Sequence, residues 1–145
     1  MDTNLRKIWI DTDAGTDDAM ALIMAIRDPK IEIIGISTCG GNVPLDNVVQ
    51  NVLFLVEKCG ADIPVYIGAR QPLERVLGTA DFIHGKDGLG DIGLPLQGRR
   101  AQDISAIDAL NHAMSQHGSE LEIVNLGPLT NMATLIKSRT VPLDF

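Results

Sequence analysis

Four short apolar runs, each followed by a segment of helical period, constrain this chain more than any other feature. The runs are Lys7–Ile10, Ile31–Thr38, Ile63–Gly68 and Leu121–Gly127. The second, "IEIIGIST", is rich in β-branched residues and reads as a strand buried on both faces. From Asp17 to about Asp28 the pattern turns helical, with Ala19, Leu22, Ile23 and Ile26 on one face. Leu45–Cys59 presents a broad apolar side of Val48, Val49, Val52, Leu53, Leu55 and Val56. Ile104–His117 turns Ile107, Leu110 and Met114 inward, and "PLTNMATLIK" opens a further helix. Strands alternating with helices predict an α/β fold: an open, mainly parallel sheet with helices on both faces, a Rossmann-like arrangement with right-handed crossovers. The 145 residues suit one domain, 1–145. Parallel strands put their carboxyl ends on one edge, where open sheets bind ligands. The loop after Ile10, Gly40-Gly41-Asn42, Gly68 and Gly127 should therefore converge on one rim.

The loop after Ile10 poses the chemical question. It reads "DTDAGTDD", four carboxylates in residues 11–18. Such groups repel one another, and each costs free energy if desolvated without a partner. A solvated turn at a helix start explains part of it: Thr16 can cap the helix, and Asp17 and Asp18 suit the positive end of its dipole. Asp11 and Asp13, which flank the strand end, are not explained that way. An EF-hand fits poorly, because its fifth and twelfth positions counted from Asp11 are Gly15 and Leu22. A haloacid-dehalogenase-type phosphatase also begins strand-Asp-x-Asp. That motif wants Thr or Val where this chain has Gly15, and it needs a later lysine motif that does not stand out. A cage for a hard divalent cation makes better sense of the carboxylates, since calcium takes about six to eight oxygen ligands from carboxylates, carbonyls and hydroxyls.

The composition removes other classes. Twelve basic against nineteen acidic residues give a net charge of −7, which argues against nucleic acid or an anionic membrane as partner. No stretch reaches the roughly 18 apolar residues of a membrane span, and the start "MDTNLRK" lacks the apolar core of a signal peptide, so a cytoplasmic location is expected. Cys39 and Cys59 have no spacing that suits zinc and read as two reduced structural thiols. Residues 69–102 carry Gly78, Gly85, Gly88, Gly90, Gly93 and Gly98 with Pro72 and Pro95, and show no period. A loop of that length inside a compact domain is usually functional or disordered, and residues 69–102 are read as a long Gly-rich active-site loop.

"DTDAGTDDAMAL" resembles the amino-terminal signature DTDPGxDDxxAL of the inosine–uridine-preferring nucleoside hydrolases. Three further stretches agree in order and spacing: "GISTCGGN" (Gly35–Asn42), "HGKDGLGD" (His84–Asp91) and "NLGPLTNMA" (Asn125–Ala133). The resemblance runs from the first strand to about Ala133. It implies calcium-dependent (Ca2+) hydrolysis of the N-glycosidic bond of a ribonucleoside to ribose and free base. By resemblance, Asp13 binds calcium and acts as general base on a calcium-bound water, Asp18 is a second ligand, and the Leu126 backbone carbonyl is a third. Asp17 and Asn42 would bond the ribose hydroxyls, Asp11 would support the loop from behind, and His84 would face the nucleoside. The chemistry is coherent: cleavage passes through an oxocarbenium-like ribosyl cation, which nearby carboxylates stabilise. Carboxylates that bind hydroxyls also select ribose over deoxyribose. The partner implied is a small-molecule ribonucleoside. The family's proline after the second Asp is Ala14 here, which would cost the loop some stiffness. His112 and His117, in and at the end of a helix, read as structural or surface residues.

Members of that family are longer chains, whose second half supplies another calcium-binding Asp, polar groups around the ribose and a histidine acid for the leaving base. After "LTNMATLIK" this sequence reads "SRTVPLDF", residues 138–145, which matches no family pattern and looks truncated or out of frame. Reduced activity is therefore expected, with an inactive calcium- or ribose-binding fragment as the alternative. Leu129, Met132, Leu135 and Ile136 would then face water and favour a homo-oligomer.

Overall fold

The computed structural model describes residues 5–95 and 99–138. The chain alternates as expected: β1 (Arg6–Thr12), α1 (Thr16–Arg27), β2 (Ile31–Thr38), α2 (Leu45–Lys58), β3 (Val65–Ile67), α3 (Asp81–His84), α4 (Ala106–His117), β4 (Leu121–Asn125) and α5 (Thr130–Ser138). Among the described residues the four strands form one sheet in the order β3-β2-β1-β4. Every pairing in it is parallel. β1 is central, bonded to β2 on one side and β4 on the other.

Alternation along β1 divides the core in two, because successive side chains of a strand point to opposite faces. Ile8 and Ile10 pack with Ala19 and Leu22 of α1 and with Val48, Val52 and Val56 of α2. Trp9 packs the other way, against Ala109, Leu110 and Ala113 of α4 and Leu135 of α5. Each large side chain buried here contributes roughly 1.5–3 kcal/mol. Trp9 also stacks on Tyr66, with ring centroids 5.2 Å apart. Its indole N–H donates to Ser37 Oγ at 2.9 Å. Gly35 makes this stack possible, since a Cβ there would lie 2.7 Å from the Trp9 ring.

Several boundaries differ from the sequence reading. β1 extends through Asp11 and Thr12, which pair with Ser37 and Thr38, so Asp11 belongs to the ladder rather than to the loop. β3 is shorter than Ile63–Gly68. Ile23, expected inward, is 39% exposed. β2 is fully buried only from Gly35 onward; Glu32 is exposed beside its register partner Lys7. α4 begins at Ala106, where Ser105 Oγ accepts the Asp108 N–H, and Ile104 stays outside it. Residues 69–95 are mostly exposed and include the short helix α3. The four apolar residues of the last helix divide: Leu135 is buried on Trp9 and Leu110, Met132 packs partly against the same cluster, and Leu129 and Ile136 are exposed. Beyond Ser138, the expected break in pattern lies outside the described residues. Both cysteines are free thiols. No helix among the described residues is long and apolar enough to cross a membrane.

Candidate active site

The carboxyl ends of β1, β2 and β4 meet at one rim, and glycines let them approach. A Cβ on Gly41 would lie 2.1 Å from Asp13 Oδ2, and one on Gly127 would lie 2.8 Å from the Asp13 nitrogen. A Cβ on Gly15 would meet the Asn42 amide at 2.4 Å. The convergence expected from the strand-terminal glycines is therefore present, with Asp13 at its centre.

Hydrogen bonds join three of the expected residues. Asn42 donates its backbone N–H to Asp13 Oδ2 at 2.8 Å and its side-chain amide to Asp18 Oδ2 at 3.4 Å. Asp18 also accepts the Thr12 hydroxyl at 2.8 Å and the Gly15 N–H at 3.1 Å. This last bond puts Gly15, not Thr16, at the helix cap. The Thr16 hydroxyl lies instead 3.0 Å from His84 Nδ1, which accepts the Thr16 N–H at 3.2 Å. An Nδ1 that accepts carries no proton, so a neutral ring bears its proton on Nε2. His84 thus joins the rim through the first residue of α1.

Ala14 changes the expectation about the loop. Its φ is +43°, and its N–H donates to Thr12 Oγ1 at 3.0 Å. Proline locks φ near −65° and has no N–H, so this turn could not hold it. The alanine therefore allows a different local conformation, with an added hydrogen bond.

Asp11 sits behind the rim. It is fully buried, and its Oδ1 accepts from the Ser37 hydroxyl and, at 2.7 Å, from the Asn131 amide. Its Oδ2 has no hydrogen-bond partner among the described residues, nor has the side-chain amide of Asn125, its register neighbour on β4. Burial pushes the Asp11 carboxyl up to about 6, against the pull of the Ser37 and Asn131 donors. The Asp13 carboxyl, 6% exposed, is likewise raised to about 6: burial is the main cause, the Asn42 N–H opposes it, and the Asp18 charge adds to it. Asp17 is exposed on the first turn of α1. Leu126 is half-exposed, and its N–H donates to the Asp11 carbonyl at 2.8 Å. His112 is exposed and His117 half-buried, as expected.

The ion pairs found among the described residues (Arg6–Glu122, Lys7–Glu120, Arg70–Asp46 and Arg99–Asp62) lie on other carboxylates. Asp13 and Asp18 form a pair of buried oxygen donors whose mutual repulsion a hard cation would offset. Two carboxylates are fewer than the six or so oxygens that calcium takes. Among the described residues no group of three or more His, Cys, Asp or Glu is arranged to hold a metal. The pair fits part of a shell, to be completed by carbonyls, water or other groups.

Thr12, Ser37 and Asn131, which bond the Asp18 and Asp11 carboxylates, belong to no spacing that marks them in the sequence. Their signal was polar residues in apolar surroundings, at the ends of strands and at the start of α5.

The model of the inosine-uridine preferring nucleoside hydrolase family matches residues 8–141. Uridine nucleosidase 1 of Arabidopsis thaliana is 44% identical over 133 residues, covering 90% of this chain and 40% of the relative. The solved structure of a plant nucleoside hydrolase, PpNRh1, superposes with a TM-score of 0.87 at 41% identity, covering 92% of this chain and 43% of that one. A purine-preferring ribonucleoside hydrolase from Gardnerella vaginalis gives 0.86 at 34% identity, covering 90% and 43%. The chain thus spans about two fifths of the length of these relatives. With the family model matched from β1 into α5 and beyond, the chain belongs to the inosine-uridine preferring nucleoside hydrolase family.

Proposed function

We propose that this chain carries the carboxylate side of a nucleoside-hydrolase site, and that the reaction is calcium-dependent hydrolysis of the N-glycosidic bond of ribonucleosides to ribose and free base. The observation that carries this reading is the buried pair Asp13 and Asp18, bridged by Asn42 at the carboxyl ends of β1 and β2. In it, Asp13, Asp18 and the Leu126 carbonyl hold the calcium. When bound, calcium supplies a positive anchor for the ribose hydroxyls and makes water more acidic. Asp13 takes the proton of the attacking water while the C1′–N bond breaks and its electron pair leaves with the base. The negative charges of Asp13 and Asp18 stabilise the ribosyl cation that develops. Asp17 and Asn42 receive the ribose hydroxyls, and His84, held by Thr16, faces the nucleoside.

Nucleosides are favoured over nucleotides because the rim is acidic and the chain carries a net −7. Ribose release from inosine and uridine should appear with calcium and vanish with a chelator. Tighter binding of 5′-monophosphates than of nucleosides would overturn the reading in favour of a phosphatase.

A second reading is calcium or ribose binding without turnover. The chain spans 40% of the length of its uridine nucleosidase relative. Calcium binding without release of any base would select it.

A further inference from the structure

Asn131 is almost fully buried, and its side chain spends every hydrogen-bonding group on a strand end. Its Nδ2 donates to Asp11 Oδ1 on β1 at 2.7 Å and to the Thr38 carbonyl on β2 at 3.0 Å. Its Oδ1 accepts the N–H of Ala69, just beyond β3, at 2.8 Å. Gly68 leaves the space for this: a Cβ there would lie 2.4 Å from Asn131 Nδ2 and 2.5 Å from Oδ1. One amide thereby bonds the ends of three neighbouring strands. Asn131 is the second residue of α5, and the turn 126–129 joins that helix to β4. The other end of the turn is held by β1, since Asp11 O accepts the N–H of Leu126 at 2.8 Å and of Gly127 at 3.4 Å. Gly127 in turn packs against Asp13.

We propose that Asn131 is a positioning residue. By pinning the start of α5 to the strand ends and holding the Asp11 carboxylate, it fixes the Leu126–Gly127 turn against Asp13. The catalytic part of this role rests on the nucleoside-hydrolase reading; the positioning part does not.

Asn131→Asp is the informative change. It keeps the shape and the acceptor for Ala69, and it turns both donated bonds into oxygen–oxygen repulsions. Amide hydrogen exchange at Leu126 and Gly127 should accelerate about tenfold or more, as befits loss of a bond to a charged acceptor, while Val52 and Val56 of α2 keep their protection. Adding Asp11→Asn restores a donor–acceptor pair across the same contact and should restore protection at Leu126 and Gly127. Ribose release should show a fall in kcat of about tenfold with KM little changed. Unchanged exchange at Leu126 and Gly127, or acceleration everywhere that Asp11→Asn fails to reverse, would overturn the proposal. If Asn131→Asp does not fold, Asn131→Ser, which adds no charge, should give the same local pattern to a smaller degree, and its absence counts equally against the proposal. A parent chain that releases no ribose would defeat the nucleoside reading alone, and the exchange result would still decide the positioning role.

Discussion

Two acidic loops in this chain look alike as sequence and behave oppositely as structure. Residues 11–18 carry four carboxylates, and the "DGLGD" of residues 87–91 carries two in five positions. In the second loop Asp87 accepts the N–H of Leu89 at 2.7 Å, of Asp91 at 2.8 Å and of Gly93 at 3.4 Å. Burial pulls its carboxyl upward, but these backbone donors together outweigh it and hold Asp87 below its usual 3.8. In the first loop Asp13 accepts the Asn42 N–H beside a second buried carboxylate, and it ends near 6. A density of Asp is therefore not the signal; the surroundings of each carboxylate are. Asp87, satisfied by backbone donors of its own loop, organises a turn, whereas Asp13 is buried beside the Asp18 carboxylate, whose charge a cation would offset.

The largest expected effect falls on the loop with the paired buried carboxylates. Asp13→Asn should lower ribose release by about 10²–10⁴-fold, the usual cost of losing a general base. Equal activity in the variant would remove Asp13 from the chemistry. Next is pH. The buried Asp11 carboxyl moves from 3.8 to about 6 on folding, which corresponds to about 3 kcal/mol. Because the folded state binds this proton more tightly, the stabilisation is complete below pH 3.8 and is lost as pH rises through about 6; Asp13 acts in the same direction. In chelator, the denaturant midpoint should therefore fall between pH 4.5 and 7.5 (~3 units), and calcium should flatten that fall. Asp87, lowered rather than raised, gives the opposite slope, and at lower pH. A midpoint that rises over the same range would contradict the contrast between the loops.

The same logic extends to apolar groups. Leu135 has found Trp9 and Leu110, whereas Leu129 is 64% and Ile136 52% exposed. Beside them β4 pairs only with β1 among the described residues, which leaves a strand edge open. Self-association of the 145-residue chain is expected in light scattering, and Leu129→Lys with Ile136→Lys should weaken it by about 2 kcal/mol. A monomer before substitution would show that this face needs no partner. The smallest effect is Asp87→Asn, which should cost about 1 kcal/mol of stability and leave calcium affinity unchanged. Loss of calcium binding in that variant would erase the distinction between the two loops.

Much of this architecture was legible because hydrophobic period reports burial directly. β2, α2 and the inward residues of α4 follow from spacing alone, and the strand-terminal glycines Gly41 and Gly127 marked the rim. Less visible was whatever depends on a partner far along the chain. Asn131 reaches Asp11 across 120 positions, and Ser37 reaches it across 26. Neither spacing has a period, and a Ser or Asn at an element end can equally satisfy itself nearby. Thr16 looked like the cap because threonine caps helices well. Gly15 took the position since its missing Cβ admits the Asn42 amide. The left-handed conformation of Ala14 had no signal either, because alanine is rarely placed there. Leu135, apolar near the end of the sequence, has no partner visible in its spacing, yet Trp9 on β1 and Leu110 on α4 bury it.

The calcium site proposed above has Asp13 and Asp18 at its core. Calorimetric titration of the chain with calcium, beside Asp18→Asn, tests it most directly. Removing one charged ligand should weaken binding by about 10–100-fold, with saturating calcium raising the melting temperature of the parent and not of the variant. Identical titrations for the two proteins, or no heat from the parent while it remains folded, would rule out calcium at Asp13 and Asp18.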